Sequence, residues 1–172
     1  MAPLQPGTQL PPHQPNCFGC GPRNQAGLHL RCVLTEDGVA GRVMLGAQHE
    51  GGPGIAHGGV VAAVLDDLFG FLLYRLGFAM VTARLEVDYR RPLALDVEYG
   101  GVARIESREG RKVWCTGELH DAGGNVVAQG RGLFLRVGAE HFMRASPRAA
   151  AAVDQWRSAG REGDAGPGPV GP

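Results

Sequence analysis

The chain has 172 residues, with 17 basic and 17 acidic side chains and 44% apolar residues. That is long enough for one domain with a real core and too short for two comfortable ones. The cancelled charge argues against a nucleic acid or an anionic membrane held by bulk electrostatics, because such partners are met by a basic surface.

The opening stretch MAPLQPGTQLPPHQP has no positive region followed by an apolar one, so a secretory signal is not expected. Its Pro and Gln content predicts a disordered or weakly held arm over residues 1–15. The main domain is expected over residues 16–138. It begins with alternating apolar positions at Leu28, Leu30, Cys32 and Leu34, then at Val39, Gly41, Val43 and Leu45 beyond the turn residues Asp37 and Gly38. This is a hairpin pattern. GIAHGGVVAAVLDDLFGFLLYRLG, residues 54–77, follows and reads as one long helix, apolar all round from Val60 to Tyr74 apart from Asp66, Asp67 and Gly70. Those acids and Arg75 interrupt the longest apolar run, so no transmembrane span is expected.

TARLEVDYR then alternates, with Ala83, Leu85, Val87 and Tyr89 on one face and Arg84, Glu86, Asp88 and Arg90 on the other. Further strands are marked by Val97, Tyr99, Ala103 and Ile105, by Val113, Cys115 and Leu119, and by NVVAQGRGLFLRV. Arg108-Glu109-Gly110 and Asp121-Ala122-Gly123-Gly124 supply hairpin turns between them. Residues 139–160 are expected to add a helical appendage, with Ser146 as N-cap, Pro147 in the first turn and Trp156 as anchor. Residues 161–172 are expected to form a disordered Gly/Pro tail with nothing to pack. Alternating strands suit an antiparallel sheet covered on one face, and a helix apolar all round must be surrounded. The predicted fold class is therefore α+β: a six-stranded antiparallel sheet in the order ββαββββ, wrapped around one central helix.

Chemistry concentrates on that helix. The first N–H groups of a helix lack internal partners and lie at its positive end. His57-Gly58-Gly59 opens the helix after a Pro-Gly loop, and glycine lets another molecule approach the backbone closely. An ester or thioester oxygen gaining negative charge would be stabilised there, by roughly 3–4 kcal/mol per donor. Tight packing under a neighbouring strand would equally require the glycines, and His57 is either a cap or a catalytic partner. A buried carboxylate is costly unless paired, so of Asp66 and Asp67 one is expected to be functional and the other structural, with Arg84 a candidate partner. His57 and Asp66 are nine positions apart, which places them on opposite sides of the helix and about 13 Å apart. They cannot act on one atom within one chain, whereas two antiparallel copies of the helix about a two-fold axis would bring them together. This predicts an obligate homodimer with composite sites.

The stretch HGG followed by six residues and then Asp, at His57-Gly58-Gly59 and Asp66, resembles the hotdog-fold thioesterases of the phenylacetic-acid-degradation (PaaI-like) family. NCFGCGPRNQAGLHL near the start and TARLEVDYRRPL after the helix, with Thr82 ten residues before Pro92, resemble it too. The resemblance covers about residues 16–138. It implies a sheet wrapped around a central helix, dimerisation edge to edge, and hydrolysis of acyl-coenzyme A thioesters with no metal or bound cofactor. Carried over, the Gly58 N–H holds the thioester carbonyl, Gly59 permits close approach, and His57 assists at the carbonyl or the leaving sulfur. Asp66 of the other subunit activates water or attacks directly, and Thr82 hydrogen-bonds to that water or carboxylate.

Many relatives carry Asn where this chain has Gly51, so polar help at the carbonyl is either missing or supplied by Gln48, His49 or Glu50. Asp67 has no place in the pattern, and Thr82 falls on the polar side of its strand. Arg90, Arg91 and Arg131 are candidates for the phosphates of coenzyme A, since Arg suits phosphate forks. Cys17 and Cys20 form a CxxC that could be half a zinc site or a redox pair. No second CxxC or spaced His pair completes a tetrahedral site, which favours a packing or turn role. Four cysteines are too few for a disulfide scaffold, so free thiols and a cytoplasmic location are expected. Leu68, Phe69, Leu72 and Leu73 are either pocket or core. The acyl group, and dimer against tetramer, stay open. Two other readings are a hydratase or dehydratase on acyl thioesters and a non-catalytic acyl-CoA-binding module, because fold does not fix chemistry.

Overall fold

The structure is a computed structural model that describes residues 5–146 and residue 149. β1 (Arg31–Leu34) and β2 (Gly38–Met44) form the expected hairpin. A single 3-10 turn (Ala47–His49) leads into a small hairpin of β3 (Glu50–Gly52) and β4 (Ile55–Ala56), too short to show any alternation in sequence. Helices α1 (Gly58–Gly70) and α2 (Leu73–Leu76) come next, then β5 (Met80–Tyr89), β6 (Glu98–Glu109), β7 (Lys112–His120) and β8 (Val126–Arg136). The main sheet has six strands in the spatial order β1-β2-β6-β7-β8-β5, all neighbours antiparallel. Its alternation is clear in β7, where Val113, Cys115 and Leu119 are fully buried while Lys112 and Glu118 are exposed. The tight turns at both ends of β7 use Gly110 (φ 55°) and Gly124 (φ 77°), conformations that ordinary side chains disfavour.

The sheet curls around α1, which packs against β2, β5, β6, β7 and β8. Bulky side chains on one side of the helix (Val61, Val64, Leu65, Leu68 and Phe69) are buried, each worth roughly 1.5–3 kcal/mol when fully removed from water. The sheet makes room for them with small residues. A methyl at Gly117 would lie 2.7 Å from the Phe69 ring, at Gly132 3.0 Å from it, and at Gly101 3.0 Å from Leu68. The opposite stripe of α1 (Gly59, Ala62, Ala63, Asp66 and Gly70) is small and only partly covered by its own chain. The helix also ends sooner than the apolar run predicts. It stops at Gly70, the chain turns through Phe71 and Leu72, and α2 closes at Gly77 in the left-handed conformation (φ 72°). Apolar content alone does not mark that break.

The two edges of the sheet differ. Residues 1–15 are expected to form a disordered or weakly held arm, and part of this segment lies along β1. The Gly7 N–H donates to Leu34 O (2.8 Å), the Leu34 N–H to Thr8 O (2.9 Å) and the Leu10 N–H to Cys32 O (2.9 Å). Leu10 is buried in the core. The physical reason is that a four-residue edge strand offers unpaired backbone groups, and Leu10 supplies the apolar contact that holds a mate there. At the other edge β5 runs for ten residues with β8 as its only strand neighbour among the described residues. After β8, α3 (Ala139–Ala145) ends at Ser146, whose N–H donates to Phe142 O. The helix expected after Ser146, its Trp156 anchor and the 161–172 tail lie outside the described residues, apart from Ser146 and Ala149. No helix among the described residues is long and apolar enough to cross a membrane.

Candidate active site

The start of α1 is held from both sides. The Ala56 N–H donates to Leu93 O and the His57 N–H to His49 O, each at 2.8 Å. His57 is the N-cap, and its Nδ1 accepts from the Gly59 N–H at 2.9 Å. With Nδ1 accepting, a neutral imidazole carries its proton on Nε2. The Gly58 N–H has no hydrogen-bond partner among the described residues. The Gly58 carbonyl accepts from Tyr89 Oη at 2.8 Å. A methyl at Gly58 would make only an ordinary 3.6 Å contact with the Tyr89 ring, so burial under a strand does not account for this glycine. Gly58 is exposed, and a free N–H at the positive end of a helix suits a developing anion.

Gly51 packs against the same turn. A Cβ there would lie 2.5 Å from the His57 Cα, so no asparagine fits this backbone. His49 and Glu50 do not replace it, because both are engaged in the loop. His49 is buried, with Nδ1 accepting from the Gly46 N–H and Nε2 facing Ala26 O. Glu50 accepts from the Gly54 N–H at 2.8 Å.

Asp66 is half-buried on the third turn of α1, and Thr82 Oγ1 donates to its Oδ1 at 2.7 Å. The alternation of β5 puts Thr82 on the polar side, yet it faces the helix. The reason is a bulge: Thr82 pairs with Phe134 and Arg84 with Leu133, leaving Ala83 as the extra residue. A bulge reverses the phase of a strand and re-aims its side chains. Thr82 thus shares its face with buried Phe134, while Leu85, three positions on, also turns inward opposite Gly132. Arg84 pairs with Glu86, not with Asp66. Gly58 and Asp66 sit eight residues apart on one continuous helix, about 12 Å along its axis. A single chain therefore does not bring them together.

Of the three candidate arginines, Arg90 and Arg91 directly follow Tyr89, which touches the start of α1, and both donate backbone N–H groups to Val127 O. Their guanidinium groups are more than half exposed, with Asp88 and Asp121 at 3.6 and 3.9 Å. Arg131 is elsewhere. Gly130 and Gly132 face α1, so Arg131 between them points to the outer face of the sheet. There its Nε donates to Glu106 at 2.7 Å and its guanidinium lies 4.0 Å from the Trp114 ring centre.

Tyr89 was not a site candidate in the sequence, where it reads as one more apolar residue of its strand. Its phenol, at the end of an edge strand, was the available signal. Asp67 also finds its surroundings. It points away from Asp66 into a cluster with His13, Cys17 and Cys20. Its Oδ1 is 3.1 Å from His13 Nδ1 and 3.4 Å from Cys17 Sγ. Burial pushes the Asp67 carboxyl up, against the pull of His13. Burial pulls His13 down, but Asp67 and Cys17 outweigh it and raise the imidazole to about 9. Cys17 is held down chiefly by hydrogen bonding from Cys20, whose own thiol is pushed up in return.

The profile of the thioesterase superfamily matches residues 53–128, which span β4, α1 and β5 to β7. In sequence the chain is 38% identical over 74 residues to the acyl-coenzyme A thioesterase THEM4 of Xenopus laevis, covering 42% of this chain and 33% of that one. The chain thus spans well under half the length of that relative. Among solved structures it is similar to a thioesterase superfamily protein (TM-score 0.65, 32% identity, 70% of this chain and 60% of the other). It also shares its fold with the Escherichia coli PaaI protein of the phenylacetic acid degradation operon (TM-score 0.60, 21% identity, 64% and 81% covered). A hypothetical thioesterase protein from Streptococcus pneumoniae, solved with coenzyme A, shares the fold as well (TM-score 0.57, 17% identity, 60% and 83% covered). A helix wrapped by a six-stranded antiparallel sheet, with the segment that matches the thioesterase superfamily profile at its centre, gives this chain the hotdog fold of these thioesterase proteins.

Proposed function

We propose that this protein hydrolyses acyl-coenzyme A thioesters at sites shared between two copies of the chain. The observation that carries the reading is the separation of two complementary parts on one helix. An unpartnered Gly58 N–H lies at its start and an Asp66 carboxylate held by Thr82 lies on its third turn, both flanked by the open edge strand β5. Pairing β5 with β5 of a second copy would satisfy that edge and set the two α1 helices antiparallel, small stripe against small stripe. The Gly58 of one subunit would then face Asp66 of the partner subunit.

In this arrangement the Gly58 N–H donates to the thioester carbonyl oxygen and stabilises the negative charge it gains. Thr82 occupies Oδ1 of the carboxylate, which leaves Oδ2 to take a proton from water as the oxygen attacks the carbonyl carbon. When the tetrahedral species collapses, the C–S bond breaks and the departing thiolate receives a proton. His57, with its proton on Nε2, is placed to assist there. Direct attack by Asp66 through an anhydride would use the same groups. Arg90 and Arg91, at the Gly58 end, are the phosphate contacts of this proposal, while Arg131 is engaged with Glu106 and Trp114 on the other face. Similarity to an acyl-coenzyme A thioesterase of Xenopus laevis, and to a hypothetical thioesterase protein of Streptococcus pneumoniae solved with coenzyme A, supports this substrate class.

The test is coenzyme A release from a panel of short, long and aromatic acyl-CoA compounds, followed by a detector that does not react with the four cysteines. Asp66→Asn should remain folded and lose roughly 10²–10⁴-fold in kcat. Unchanged turnover by that variant would remove Asp66 from the mechanism. Hydration of an enoyl-CoA without thiol release, or tight binding without turnover, would replace hydrolysis by the corresponding reading.

A further inference from the structure

The cluster behind Asp66 has the composition and the shape of a metal site. His13, Cys17, Cys20 and Asp67 each offer one ligand atom, and these atoms lie within 4.8 Å of one another. A zinc ion with bonds of about 2.0–2.3 Å holds tetrahedral ligands roughly 3.3–3.8 Å apart. The contacts here run close to that: His13 Nδ1 to Asp67 Oδ1 3.1 Å, Cys20 Sγ to His13 Nδ1 3.3 Å and Cys17 Sγ to Asp67 Oδ1 3.4 Å.

The backbone supports both sulfurs. The N–H groups of Gly19 and Cys20 are directed at the Cys17 sulfur, and the His13 N–H donates to Cys20 Sγ at 3.3 Å. The glycines of CFGCG have a steric reason to be there. A Cβ at Gly19 would fall 2.1 Å from the Asp67 carboxyl carbon, and one at Gly21 would fall 2.3 Å from the Cys17 N. The loop is folded tightly around the four side chains.

The cluster also leaves a polar atom unanswered. The Asp67 side chain is nine-tenths buried, and among the described residues its Oδ2 has no hydrogen-bond donor and buried His13 Nε2 has no partner. A buried carboxylate oxygen without a donor is costly, and a cation is the simplest thing to satisfy it. Two thiols and an imidazole select a borderline-soft ion over magnesium or calcium. A redox pair would need only the two cysteines, and would not explain why residues 13 and 67, far apart in the chain, converge on them.

We propose that His13, Cys17, Cys20 and Asp67 bind one Zn²⁺ ion in a tetrahedral site that fastens the N-terminal segment to α1 directly behind Asp66. In the sequence alone Cys17 and Cys20 form a CxxC without completing ligands. The ligands are a histidine four residues upstream and the second acid of the helix, which only the fold brings near. Asp66 and Asp67 thereby acquire separate tasks on adjacent helix positions.

The measurement is metal content by mass spectrometry of protein purified reduced and without chelator, which should give about one zinc per chain. Cys17→Ser and Asp67→Ala should each reduce it more than tenfold, while Asp66→Asn retains it. Replacement by Co²⁺ in the wild-type protein should produce the visible absorption of a tetrahedral cobalt thiolate, which decides the matter even if the variants do not fold. Stripping the ion should release the amide protection of Leu28 and Leu30, whose N–H groups bond within this loop. Wild-type protein that neither contains zinc nor takes up Zn²⁺ or Co²⁺ would overturn the proposal. So would zinc retained at full stoichiometry by both variants, or a Cys17–Cys20 disulfide in the reduced preparation. None of these readouts uses thioester hydrolysis, so this proposal and that activity fail separately.

Discussion

At Gly58 the chemistry and the conformation can be separated by a single substitution. Proline is tolerated at the first position of a helix because its missing N–H is one of the groups a helix leaves unpaired. His57 already has the extended backbone (φ −64°, ψ 134°) that the residue before a proline prefers. A Cβ at position 58 meets only the Tyr89 ring, at 3.6 Å. Gly58→Pro should therefore fold with unchanged thermal stability and lose about 10²–10³-fold in kcat, the cost of one oxyanion donor. A steady-state comparison with Gly58→Ala, which retains the N–H, isolates that donor; equal losses in both variants would point to crowding instead. The sequence made Gly58 and Asp66 legible because both defy the helix they occupy, a glycine at its start and an acid in its apolar body. It could not show which way Thr82 points. A strand read with strict period two has one answer for Thr82, and the extra residue at Ala83 reverses it.

The same contrast between local pattern and tertiary position holds for the elements. Six strands were readable because each alternates over enough residues to define an inner face, as Val113, Cys115 and Leu119 do in β7. β3 and β4, three and two residues long, carry no such pattern. The N-terminal arm looks unstructured in the sequence because its bonds are to β1 and, among the described residues, its buried apolar content reduces to Leu10. α1 was legible as a surrounded helix, but within one chain it is surrounded on one side alone. Its remaining stripe of small residues lies beside β5, the open edge. Small residues on a helix allow another helix to come close, and a long charged side chain there would prevent it. Ala62 is half-buried on that stripe, three residues after Gly59 and four before Asp66. Ala62→Arg should leave the far-ultraviolet circular dichroism unchanged while sedimentation moves from a dimer to the 18.1 kDa chain, with hydrolysis reduced at least about tenfold. A variant that remains dimeric and active would place the interface on another face.

For the whole molecule the decisive question is whether a site draws on one chain or two, and mixing inactive variants answers it without any structure of the assembly. In Gly58→Pro every carboxylate is intact and every donor is lost; in Asp66→Asn the reverse holds. If sites are composite, a mixed dimer has one site that combines both lesions and one that combines neither. If each site were complete within a chain, every site in every mixture would carry a lesion and no activity could return. Random re-association of equal amounts makes half the dimers mixed, each with one of its two sites restored, so activity should recover to about a quarter of the wild-type value. Re-association is needed, since in the proposed dimer β5 pairing would bury both helices and intact homodimers would not exchange on mixing. Unfolding the two variants together and refolding them achieves it. Refolded wild-type protein, carried through the same treatment, sets the scale. Recovery that rises with the product of the two variant fractions identifies the mixed dimer as the active species. Activity that stays at the level of the separate variants across all ratios would confine the chemistry to a single chain. The Gly58 N–H and the Asp66 carboxylate, about 12 Å apart along α1, could not then be parts of one site.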